Sequence, residues 1–144
     1  MFNDKASREV ITIAIAKATA IMCDKNFYRE ISEVKSFTHT EDASCEIFEH
    51  IKFTFEIYNI DVVTYKSRNP WSKANGYTKK RKPFKIYVNT RKINKRSVNA
   101  WVGFLIHETC HLAGYSHGSN SPKGKENSVP YKVGSIAKRM AGEI

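Results

Sequence analysis

Cysteine is scarce. The 144-residue chain holds three, Cys23, Cys45 and Cys110, with no CxxC pair and none of the density of a disulfide-stapled secreted scaffold. Cys23 and Cys45 leave one pairing open, and three separate buried thiols are the expectation. Long apolar runs are missing too. The longest, Val10 to Met22, is 13 residues and is broken by Lys17, too short and too charged to span a bilayer. Asn3, Asp4, Lys5 and Arg8 before it, and the large Met22 before Cys23, fit poorly with a signal peptide or a lipoprotein cleavage site. The chain is therefore read as cytoplasmic, or as secreted or periplasmic with a signal already removed. Internal repeats, low-complexity tracts and linkers are absent as well. So is negative charge over a long stretch: between Asp61 and Glu108 there is no acidic residue, against 12 basic ones.

What is present reads as one ordinary globular domain, residues 1–144, with 41% hydrophobic and 26% charged residues. A chain of this length buries roughly 68–70% of its unfolded surface, so a metal is not needed merely to fold it, and a metal site points to function. The net charge of +10 is uneven. Residues 1–61 carry 7 Lys/Arg against 11 Asp/Glu, a balance of −4, and residues 62–144 carry 17 against 3, a balance of +14. The run Lys79-Lys80-Arg81-Lys82 and the cluster Arg91, Lys92, Lys95, Arg96 dominate the second half. A one-signed field of this kind favours anionic partners: nucleic acid, an anionic wall or membrane polymer, or an acidic protein.

Patterning predicts an α+β fold. Ile11, Ile15, Ala18 and Met22 form one helical stripe, capped by Asp4 or Ser7 and running to about Asp24. Residues 27–40 are ambiguous, and Glu41–Lys52 reads as a second helix through Ala43, Ile47 and Ile51. Phe53–Tyr65, rich in β-branched and aromatic residues, is expected to be a strand bent near Asn59. Asn69-Pro70 and Asn75-Gly76 mark a loop, Gly76–Thr78 a short edge strand, and Phe84–Asn89 alternates as a further strand. Ser97 caps the best-marked helix, which ends near Ala113 with Gly114 free to take a positive φ. Ser128 and Pro130 open a last helix reaching Ala141, with Met140 in its core face. The expected architecture is a twisted mixed sheet with an active-site helix and a C-terminal helix. Its N-terminal subdomain would cover about 1–113 and a short C-terminal one about 114–144.

The chemistry is concentrated in His107-Glu108-Thr109-Cys110-His111-Leu112-Ala113-Gly114-Tyr115-Ser116-His117, that is, HExxHxxGxxH. Histidines four apart on a helix differ by about 40° in azimuth and about 6 Å along the axis, so both imidazoles reach one cation. About 100° per residue from Val98 sets His107 and His111 opposite the stripe Val98, Trp101, Val102, Leu105, Thr109 and Leu112, facing a cleft. A helix broken at Gly114 would let His117 return as a third ligand. Three protein ligands and an open position describe a catalytic rather than structural zinc site, with Glu108 as the general base. The bare HExxH arises by chance in a few per thousand chains of this length, and the added Gly and His are on the order of a hundred times rarer. His39 and His50 lack a partner motif and read as surface residues. Cys110 lies about 100° around the helix from His111 and reads as a buried thiol. Glu126 is a weaker substitute for His117 as third ligand. Trp71 and Tyr77 read as ordinary packing near the edge strand, with a substrate groove as the alternative.

On His107, Glu108, His111, Gly114 and His117 the chain resembles the metzincin clan of zinc metallopeptidases. The resemblance implies one catalytic Zn2+ on the three histidines, Glu108 as base, and an edge strand that aligns an extended protein or peptide substrate by main-chain pairing. Ser128-Val129-Pro130-Tyr131 stands where that clan carries a turn with a methionine, which is absent here. Tyr131 is similar in placement to a tyrosine that assists at the metal in some members, and an oxyanion-stabilising role is implied for it. The spacing also resembles that of bacterial rRNA-maturation endoribonucleases, whose segment is similar to His111-Leu112-Ala113-Gly114-Tyr115-Ser116-His117. Those enzymes have glycine after the first histidine and an acidic residue before the last, where this chain has Glu108 and Ser116. Glutamate as base suits peptide hydrolysis, while the stretch Lys66–Arg96 argues for the nuclease. A zinc-containing nucleic-acid-binding module without catalysis is the third expectation.

Overall fold

Apolar alternation at two-residue spacing occurs in a few short segments, and helical spacing fills most of the rest. A computed structural model describes residues 1–118 and 125–144. The elements run β1 (Phe2–Asp4), α1 (Glu9–Met22), α2 (Lys25–Ser32), α3 (Ser44–Ile57), β2 (Ile60–Tyr65), β3 (Gly76–Thr78), β4 (Phe84–Asn89), a 3-10 turn (Thr90–Lys95), α4 (Val98–Leu112), a second 3-10 turn (Lys125–Asn127) and α5 (Val129–Ala141). The fold is α+β, as patterning predicts.

The four-stranded sheet has the order β1-β2-β4-β3. β1, β2 and β4 are parallel, and β3 runs antiparallel to β4 as an edge, with Gly76 opposite Val88 and Thr78 opposite Ile86. Strand alternation sends Ile60, Val62, Ile86 and Val88 into the core, all fully buried. Asp61, Val63, Tyr65, Lys85 and Tyr87 are directed to the other side. α4 lies at the centre of the molecule, packed against α5, α1, α3 and the sheet. One apolar cluster links these elements, from Ile11 and Phe27 through Trp101 and Leu105 to Val133 and Met140. No helix among the described residues is long and apolar enough to cross a membrane.

Several expectations need correction. Phe53–Ile57 belongs to α3, not to a strand; only Ile60–Tyr65 is extended. Thr54 and Phe55 continue the buried stripe of Ile47 and Ile51 at helical spacing, so packing overrides the β-propensity of this run. Neither Asp4 nor Ser7 caps α1, whose N-cap position is Arg8. The Asp4 carboxylate instead accepts from the Ala6 and Ser7 amides, at 3.0 and 3.1 Å, and from the Thr12 hydroxyl. Ser128 occupies the N-cap position of α5 without capping through its side chain, since its hydroxyl donates to the Lys125 carbonyl. The first part of the ambiguous stretch is α2, which begins just before it at Lys25 and is capped by Asp24. Cys110 is buried as expected, but Cys23 and Cys45 are exposed, and all three thiols are free. Trp71 does not pack: it is 84% exposed.

Candidate metal centre and cleft

α4 begins at Ser97, whose hydroxyl accepts the Ala100 amide at 3.1 Å. The helix ends in a Schellman motif. The Gly114 amide donates to the His111 carbonyl and the Tyr115 amide to the Cys110 carbonyl, both at 3.0 Å. Gly114 takes φ +102°, which a side chain would strain, and no other atom approaches the place a Cβ would fill. The reversal brings His117 back towards the helix.

His107, His111 and His117 form one cluster, with one nitrogen of each within 4.8 Å of the others. Their ring centroids are 4.8–5.2 Å apart. Each ring is anchored by a main-chain carbonyl. Nδ1 of His111 lies 2.8 Å from the Tyr115 oxygen, Nδ1 of His117 lies 2.7 Å from the Gly118 oxygen, and His107 bonds the Pro130 carbonyl. A carbonyl can only accept, so each ring donates there and turns its other nitrogen towards the cluster. Burial holds the His107 pKa down to about 3 and lowers that of His111, so both are neutral donors at pH 7. Three imidazoles, each fixed from behind by a main-chain carbonyl, have the chemistry of a divalent zinc-type ligand set.

Glu108 is 7% exposed, and burial raises its carboxyl from 4.5 to about 7, the range in which a group both accepts and releases a proton near neutrality. The Tyr131 ring stands edge-on to His107 and His117, 4.6 and 4.8 Å between centroids, and is 36% exposed. Glu126 is exposed and has no place in the histidine cluster. His39 is exposed with φ +62°, its ring against Gly118.

A cleft of about 540 Å³ opens beside the cluster. Gly103, Phe104, His107 and Glu108 of α4 line it on one side, and Tyr131, Gly134, Ser135 and Lys138 of α5 on another. Lys73–Gly76, leading into β3, forms a wall, with Arg96 at the entrance to α4. Tyr77 turns away from the cleft and stacks on Tyr87 at 4.6 Å. The wall is held by the buried Asn89. Its amide donates to the Ser67 hydroxyl at 3.2 Å and the Ala74 carbonyl at 3.0 Å, and its oxygen accepts from the Arg91 amide.

Two further features lie outside the motif. α4 and α5 cross where Gly103 and Gly134 face each other; a Cβ on Gly134 would meet the Gly103 oxygen at 2.9 Å and His107 Cβ at 3.2 Å. Behind His111, the buried Tyr115 donates its hydroxyl to Asp42 at 2.9 Å and meets Nδ1 of His50 at 2.6 Å. The helix-interior glycines carried a signal, since glycine there costs about 1 kcal/mol without a packing reason. Asp42 and His50 carried none. Comparison with protein-family models, curated proteins and solved structures finds no match.

Proposed function

We propose that the chain is a zinc-dependent endopeptidase, with His107, His111 and His117 holding one ion and Glu108 as general base. The observation that carries this reading is the convergence of three carbonyl-anchored imidazoles beside a buried glutamate that lines a cleft. The chemistry a bound zinc supplies there is Lewis acidity, towards a carbonyl oxygen and towards a water. Glu108, poised near neutrality, accepts the proton of the attacking water and returns it to the leaving amine. Tyr131, whose ring lies beside His107 and His117, is assigned the donor to a developing oxyanion. β3, an edge strand whose first residue lines the cleft, offers main-chain groups to an extended substrate.

A second reading, a metal-dependent endoribonuclease, draws on the outer side of the sheet. There Tyr65, Tyr77 and Tyr87 pack in series, and Lys79 lies 5.7 Å from the Tyr87 ring. Aromatic rings interleaved with lysines suit single-stranded nucleic acid.

The test pairs zinc analysis with cleavage of an unfolded protein mixture and of single-stranded RNA, comparing wild type with Glu108→Gln. The expected outcome is zinc-dependent peptide cleavage, with the variant keeping zinc and losing about a hundredfold or more in rate. RNA cleavage without peptide cleavage would install the second reading. Zinc binding with nucleic-acid binding unaffected by Glu108→Gln would leave a non-catalytic module.

A further inference from the structure

We infer that the cleft is selective for carboxylates: it takes the Asp or Glu side chain of an extended peptide, held by Arg96 together with Lys73 and Lys138. The inference rests on the peptidase reading for its peptide and adds the substrate class.

Four charged side chains line the cleft apart from the histidines, and three are cations: Lys73, Arg96 and Lys138. The fourth is Glu108, buried next to His107. Among the described residues none of the three cations has a carboxylate within 4.0 Å; the ion pairs found involve His50 with Asp42, and Arg139 with Glu30 and Glu143. The Nε of Arg96 is buried and has no hydrogen-bond partner. Its guanidinium lies 5.6 Å from the Trp101 ring, a contact that gives it an aromatic neighbour but no acceptor. An arginine that lines the cleft and has no carboxylate partner of its own offers its guanidinium to an entering carboxylate for a charge-assisted bond.

The placement sets the distance from the reacting bond. Lys138 follows Tyr131 by seven residues of α5, about 10 Å along its axis. An extended peptide advances about 3.3 Å per residue, so the acidic side chain falls within about three residues of the bond cleaved. Peptide is favoured over a nucleic-acid phosphate because this cleft starts at the main chain of an edge strand, which pairs with peptide groups. The basic turn containing Lys79, Arg81 and Lys82 lines a separate depression with Tyr87.

The test uses the zinc-loaded full chain and fluorogenic peptides that differ only in Glu, Gln or Lys at each of three positions on either side of the scissile bond. The expected result is a preference in kcat/KM for Glu over Gln of about ten- to a hundredfold at one position. Arg96→Gln removes most of that preference and Arg96→Glu turns it towards Lys; Lys138→Gln, an exposed position, weakens it should the Arg96 variants fail to fold. In parallel, binding of uncleaved Glu and Gln peptides to Glu108→Gln is followed by fluorescence anisotropy. Arg96-dependent binding of the Glu peptide without any cleavage by wild type would uphold the carboxylate site and sink the peptidase reading. Cleavage with equal rates for Glu and Gln at every position would overturn the carboxylate site and leave the peptidase reading standing. Displacement of the Glu peptide by a lower concentration of single-stranded RNA, again dependent on Arg96, would assign the cations to phosphate and overturn it as well.

Discussion

Glu108 and His107 are neighbours in sequence whose burial acts on stability in opposite directions. The Glu108 carboxyl, raised from 4.5 to about 7 by burial, adds stability that is fully present below pH 4.5 and is lost as pH rises through 7. His107, held down to about 3, takes stability away as pH falls from 6.5 towards 3. Metal-free wild type should therefore lose up to about 3 kcal/mol relative to Glu108→Gln between pH 4.5 and pH 8. Urea titrations of both proteins with chelator across that range check it; a constant difference would mean that Glu108 is not desolvated. Tyr115 makes a second case, since its carbonyl orients His111 while its hydroxyl is tied to Asp42 and His50. Tyr115→Phe should cost about 1–2 kcal/mol of stability and weaken zinc about tenfold, read by denaturation and by competition with a chromophoric chelator. The clustering of the three histidines and the turn at Gly114 were legible because residue spacing on a helix, and a glycine that ends it, fix which side chains meet. The Tyr115–Asp42–His50 contact was not, since it joins residues 65 and 73 positions apart that share no pattern.

The elements that could be read from sequence were those with a local cause. α4 has a Ser97 cap, a regular stripe and a glycine stop, and β4 has clean alternation between a turn and a cap. α2 and the last turns of α3 were missed or misread because what makes them helical is distant. Phe27 and Ile31 of α2, and Thr54 and Phe55 of α3, are buried in the shared core. β1 was equally hidden: three residues, stable only through parallel pairing with β2. The α4–α5 crossing is likewise a tertiary fact. Gly134→Ala would press a methyl against the Gly103 carbonyl at 2.9 Å and against His107 Cβ, so it should destabilise by about 1–3 kcal/mol and lower zinc affinity together. Ala at exposed Ser135, one residue on, should change neither by more than about 0.5 kcal/mol. Thermal melts with and without zinc measure both effects.

At the scale of the whole molecule, the histidine cluster and its surroundings draw on three parts of the chain that fold together. α4 supplies two histidines, the segment beyond Gly114 supplies the third, and α5 returns the Pro130 carbonyl and Tyr131 to the same place. On the proposed reading, zinc binds the native state and not the unfolded chain. The melting temperature should rise with free zinc, by about 2.7 kcal/mol of added stability at one hundred times the dissociation constant, and fall back on chelation. An unchanged melt over that range would exclude a preformed site. The asymmetric charge also belongs to this scale: −4 over residues 1–61 and +14 over 62–144 were visible at once, but which cations face the cleft depends on how β3, α4 and α5 meet. α4 carries the consequence furthest. The helix that holds His107 and His111 is buried on nearly every side, so its amides should be among the last to exchange with solvent, opening only when the whole domain does. Heating should then give no partly unfolded stage in which His107 and His111 have separated while the fold persists.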